Sequence, residues 1–117
     1  MSLTEQMTAL ARDAKAASRQ MLRLSTDEKN ACLHSMADAL AGNAAGIQEA
    51  NARDMETGYA LDLSQALLDR LQLDETRIAA MALGLREVAE LPDPVGLVLD
   101  ERERPSGLRL KKVSTPI

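Results

Sequence analysis

Apolar positions at helical spacing dominate the first ninety residues. Leu3, Met7, Leu10, Ala14, Ala17, Met21 and Leu24 recur at alternating steps of four and three, with Arg12, Lys15 and Arg19 largely off that stripe. Ser2 and Glu5 precede them at capping-box spacing, so the segment predicts a first helix. Its small and flexible members favour packing against a domain body over a coiled coil. A second capping box, Ser25 and Glu28, opens a helix with Leu33, Met36, Ala37 and Leu40 as its inner face, closing near Gly42. A third helix is expected from Asn43, carrying Ile47, Ala50 and Met55 until Gly58 stops it. Ser64 caps a short fourth over Gln65 to Leu71, and Asp74 caps a fifth with Ile78, Met81, Leu85 and Val88 on one face.

At Leu91 the period changes. Pro92-Asp93-Pro94 cannot continue a helix, because proline has no amide proton and restricts the residue before it. Leu97, Val98 and Leu99, a turn signal at Arg104-Pro105-Ser106-Gly107, and alternating Leu108 and Leu110 predict a β-hairpin over 97–113. Its leucines would form one apolar face, and the alternation slips at Lys112-Val113. The fold class is therefore mostly α with a C-terminal β-hairpin. Two strands alone are marginal and leave unpaired edges. The segment 114–117 has no turn to end on, so the chain is expected to be the front piece of a larger protein.

Composition narrows the possible functions. Tyr59 is the only aromatic residue, so the core must be Leu, Ala, Met, Val and Ile, and base stacking is nearly excluded. A net charge of −4 with acids interspersed among the bases argues against a nucleic-acid partner. Cys32 is the only cysteine, which rules out an intramolecular disulfide and suits a reducing compartment. Neither a leader-type apolar region nor a membrane-length apolar run is present, so no membrane partner and a cytoplasmic location are expected.

The residues that could carry chemistry are few. Cys32 and His34 lie two apart on a helix and point in different directions, which does not make a metal site. Cys32 lies mid-helix without a base to activate it, so it reads as a small buried packing thiol, with His34 a partly exposed imidazole. Gly42, Gly46 and Gly84 lack the preceding strand that a phosphate loop requires. Arg102, Arg104, Arg109, Lys111 and Lys112 are diluted by Asp100, Glu101 and Glu103, which reads as a solvated or interface-facing hairpin. Asp69-Arg70 reads as a structural anchor between helices. No catalytic, cofactor-binding or metal-binding residue is assigned.

Five pieces carry a resemblance. Leu24-Ser25 through Glu28-Lys29-Asn30 to Leu40, Ala50-Asn51-Ala52-Arg53-Asp54, Leu67-Leu68-Asp69-Arg70-Leu71 with Leu73, Asp93-Pro94-Val95-Gly96, and Ser106-Gly107-Leu108-Arg109-Leu110 stand in order along the chain. Together they resemble the amino-terminal region of the gamma-glutamyl phosphate reductase family, also called glutamate-5-semialdehyde dehydrogenases, within the aldehyde dehydrogenase superfamily. The resemblance implies the N-terminal part of an aldehyde-dehydrogenase-like α/β fold. Residues 1–96 would be the helical part of the nucleotide-binding domain, 97–113 a hairpin of the oligomerisation element, and 114–117 the start of a sheet region. It also implies a cytoplasmic, homo-oligomeric enzyme of proline biosynthesis that reduces L-glutamyl 5-phosphate with NADPH to L-glutamate 5-semialdehyde. In that chemistry a cysteine thiolate attacks the acyl phosphate, phosphate leaves, and hydride reduces the thioester. The family's nucleophile and nucleotide-contacting strands do not map onto this chain, and Cys32 does not correspond to the nucleophile. The segment alone is thus expected to be inactive and to bind no NADPH. The alternative is a self-contained helical protein-interaction module, engaging a partner through its apolar stripe or hairpin edge.

Overall fold

A computed structural model describes residues 1–116. Five helices precede a two-stranded antiparallel hairpin: α1 Leu3–Met21, α2 Thr26–Gly42, α3 Ala44–Ala60, α4 Gln65–Leu71, α5 Glu75–Glu90, β1 Val98–Glu103 and β2 Arg109–Val113. Apart from α3, whose N-cap Asn43 makes no side-chain cap bond, the helices start where hydroxyl and carboxylate side chains satisfy otherwise orphaned amides. Ser2 Oγ accepts from Glu5 N–H at 3.3 Å, and Glu5 Oε2 accepts in return from Ser2 N–H at 2.7 Å. The reciprocal pair recurs at Ser25 and Glu28, at 3.2 and 2.8 Å. Ser64 caps α4 and Asp74 caps α5, each accepting from the amide three residues on. The chain forms two compact units, Met1–Glu28 with the segment from Pro92 onward, and Lys29–Leu91.

In the first unit, α1 buries none of its residues, and Leu3 is 72% exposed. Among the described residues, the stripe expected to pack against a domain body is therefore left exposed along α1, and only Leu24 beyond it is half-buried. The Glu5 carboxyl is held below the ordinary glutamate range, first by the Ser2 backbone amide and then by the Ser2 hydroxyl. A carboxylate with a depressed folded pKa supports the helix start fully above its unfolded value, about 4.3. That support disappears as pH falls through the lower folded value. An NMR pH titration should show the first turn of α1 fraying only in that acid range, and Glu5→Gln should flatten the response. A response unchanged by Glu5→Gln would count against the cap as its origin.

The hairpin turn is as expected: Gly107 adopts φ +85°, its amide reaches Arg104 O at 2.8 Å, and Arg104 N–H reaches Leu108 O at 2.8 Å. Its apolar face is not. The register sets Leu110 opposite Arg102, and Leu99 is the extra residue of an irregularity between Val98 and Asp100. That irregularity lies across from the Lys112–Val113 step where the sequence alternation slips. Of the paired positions only Val98 meets an apolar partner, Val113, and both strands are exposed throughout. The segment 114–117 forms no strand over its described residues, and Ile117 lies outside them.

In the second unit the core is narrow: Ala37, Leu68, Ile78, Ala82 and Ala89 are buried, with Asn51 and Gly58 beside them. The expected inner faces hold in part: Leu33, Ala37, Leu40, Ile47, Met55, Ile78 and Leu85 are buried or half-buried, but four expected positions are not. On α2, Ala37 is fully buried with Leu33 and Leu40 half-buried, while Met36 is 53% exposed. On α3, Asn51 and Gly58 face inward instead of Ala50. On α5, Ile78, Ala82 and Ala89 form the inner stripe, whereas Met81 and Val88 are about half exposed. On α2 and α5 the positions that displace an expected one carry the smaller side chain, as close helix approach favours, whereas on α3 Asn51 takes the place of a smaller alanine.

Gly58 does not stop α3. The helix runs on to Ala60 and ends in a Schellman turn, with Leu63 N–H on Gly58 O and Asp62 N–H on Tyr59 O, both at 3.1 Å. Asp62 occupies the left-handed position, φ 53°, that glycine normally fills. Gly58 instead sits under the returning chain, where a Cβ would lie 3.0 Å from Leu68 Cδ2 and 3.3 Å from Leu63 Cδ1 and Leu71 Cδ2.

Candidate functional site

The second unit gathers three sets of polar side chains, and each one binds backbone or another helix. Asn51, 6% exposed on α3, donates from Nδ2 to Leu71 O and accepts on Oδ1 from Leu73 N–H, both at 2.8 Å. One amide thereby satisfies the carbonyl ending α4 and an amide of the link to α5. Arg77, in the first turn of α5, donates to the carbonyls of Asp69 and Gln72 and to Asp69 Oδ1 at 3.1 Å. Asp69 is thus an anchor, as expected, but its cation is Arg77 and not the neighbouring Arg70. Arg86 on α5 reaches both Asp38 Oδ1 and, at 3.3 Å, His34 Nδ1 on α2. A guanidinium has only donors, so the imidazole contact is a hydrogen bond when Nδ1 is unprotonated.

Beside these groups an open cleft of about 610 Å³ lies between α3 and the α4–α5 link, with Asn51, Met55, Tyr59 and Leu73 along it. Two of the polar side chains lining it are already committed: Asn51 holds Leu71 and Leu73, and Asp74 Oδ1 accepts from Arg77 N–H at 2.8 Å.

Cys32 is exposed, and so is His34. The reading of Cys32 as a buried packing thiol is thereby corrected: the inward positions of α2 are Leu33, Ala37 and Leu40, and Cys32 lies off that stripe. Among the described residues no three of His, Cys, Asp and Glu cluster as metal ligands would. An exposed thiol should react with a maleimide or a disulfide reagent in the folded protein at close to the free-cysteine rate. Cys32→Ser should change stability by no more than about 0.5 kcal/mol. Protection of the thiol that ends only on unfolding would contradict this placement.

In the first unit three of the hairpin's cations are paired within it. Glu101 faces Lys111 at 3.5 Å and Glu103 faces Arg109 at 4.0 Å across the strands, and Arg102 Nε meets Asp100 Oδ2 at 2.7 Å. Each of these cations carries its own anion, unlike a phosphate-binding surface. The entry to the hairpin is a tight joint. The Asp93 carboxylate accepts from Val95 N–H at 3.0 Å and from the Thr26 hydroxyl at 2.8 Å. Gly96 turns at φ +82°, and Ser114 bonds the backbone of Pro94, Gly96 and Leu97.

These joints fall on the stretches that carry the family resemblance. No family model matches the chain. Across its 117 residues it is 51% identical to the gamma-glutamyl phosphate reductase of Geotalea daltonii, and over 116 residues 50% identical to that of Syntrophomonas wolfei. The crystal structure of gamma-glutamyl phosphate reductase from Thermotoga maritima superposes with a TM-score of 0.88 at 34% identity, over 91% of this chain and 26% of that one. The chain matches a segment of gamma-glutamyl phosphate reductase. The Saccharomyces cerevisiae reductase agrees, with a TM-score of 0.85 at 36% identity over 99% of this chain and 29% of that one. This chain spans 28% of the length of the two curated reductases.

Within the matching segment, the Ala50–Asp54 stretch contributes Asn51 as a backbone clamp, and Asp93–Gly96 forms the hairpin joint. Sequence reasoning missed the roles of Asn51, Arg77 and Arg86. An asparagine inside a helical pattern was the available signal for the first, since its side chain competes with helix backbone unless it has a distant use. Nothing in spacing marks Arg86, whose partners His34 and Asp38 lie 52 and 48 residues away.

Proposed function

We propose that the chain is the helical N-terminal segment of an NADPH-dependent reductase converting L-glutamyl 5-phosphate to L-glutamate 5-semialdehyde in proline biosynthesis, within the cytoplasm. The observation that carries this reading is 51% identity along all 117 residues to a protein named for that activity. The alternative of a self-contained interaction module is not favoured, because the likeness to the reductases leaves no part of the chain over.

In this reading the segment supplies scaffold. Residues 1–96 form the helical part of the nucleotide-binding domain, 97–113 an oligomerisation hairpin in a homo-oligomer, and 114–117 lead into the sheet. The paired charges of the hairpin support an interface role, since an ordered ladder costs less to desolvate than unpaired ions. The starts of α1, α2, α4 and α5 are filled by Ser2, Ser25, Ser64 and Asp74, and among the described residues no parallel strand leads into any helix. In this reading NADPH belongs to the whole enzyme, and no residue of this chain is assigned to the cofactor or to catalysis.

A chimera tests the proposal. This chain would replace the matching segment of the Geotalea daltonii reductase, with oxidation of the semialdehyde by NADP and phosphate as the assay. Turnover within about tenfold of the parent is expected, a loss of no more than about 1.4 kcal/mol in transition-state stabilisation. A chimera that folds and assembles like the parent but does not turn over would refute the reading.

A further inference from the structure

We draw no further inference here: the strongest candidate, the apolar stripe of Leu3, Met7, Leu10 and Met21 along α1, is an exposed helix face with nothing in the structure to show what covers it.

Discussion

Gly58→Val is expected to lower the unfolding free energy by about 3 kcal/mol. The position lies inside α3, where glycine costs roughly 1 kcal/mol relative to alanine through lost backbone entropy. Exposed helix interiors therefore gain from replacing it. Here the gain is opposed by three leucines: a Cβ would stand 3.0 Å from Leu68 Cδ2 and 3.3 Å from Leu63 and Leu71. Alanine asks only that one leucine tip shift by a few tenths of an ångström, so Gly58→Ala should fall within about 1 kcal/mol of the parent. Valine adds two branches that cannot rotate away, and the leucine Cδ atoms must leave the contact or α4 must move off α3. Gly84 supplies the control, being interior to α5 with no atom within 4 Å of an added Cβ. Gly84→Ala should stabilise by about 0.5–1 kcal/mol. Urea unfolding of the three variants against the parent would measure the set. Equal responses at Gly58 and Gly84 would mean that Gly58 is no packing contact.

Asn51→Leu should cost about 2–4 kcal/mol, despite a side chain of similar size and greater hydrophobicity. Burial normally rewards that exchange. Here it would strand Leu71 C=O and Leu73 N–H, which now meet Asn51 Nδ2 and Oδ1 at 2.8 Å each. Asn51→Asp separates the two bonds. A carboxylate still accepts from Leu73 N–H but faces Leu71 O with no proton, so the loss should shrink as pH falls and the carboxyl protonates. Thermal unfolding of both variants between pH 4 and 8, roughly the range spanning an elevated carboxyl pKa, gives the test. A flat pH profile for Asn51→Asp would show that the Leu71 carbonyl is satisfied some other way.

Local rules were legible in the sequence wherever a residue acts on its own neighbours. The caps at Ser2, Ser25, Ser64 and Asp74 need only the three following residues, and each was readable from spacing. The same holds for the Arg104–Gly107 turn, whose glycine supplies a positive φ. Helix existence followed from apolar period and its interruption at Pro92. The order of the five family stretches was likewise a property of the sequence, and it pointed to the reductases that identity and superposition then matched.

What faces inward was decided only by tertiary structure. Helix periodicity fixes a stripe to within one or two positions, and the choice among them depends on how close a neighbouring helix comes. Ala82 and Ala89 are buried, while Met36, Met81 and Val88 are about half exposed. Gly58 reads locally as a breaker, yet α3 passes through it because Leu63, Leu68 and Leu71 return over that point. Leu97, Leu99, Leu108 and Leu110 alternate as one face would, but cross-strand register and the extra residue at Leu99 separate them. Arg77 and Arg86 look like solvated helix charges until folding brings Asp69, Asp38 and His34 within reach. The sequence by itself determined where elements begin, turn and stop, since those are short-range hydrogen-bonding problems. Which side chains are buried or paired depends on contacts across 8 to 52 residues, and only the folded chain defines them.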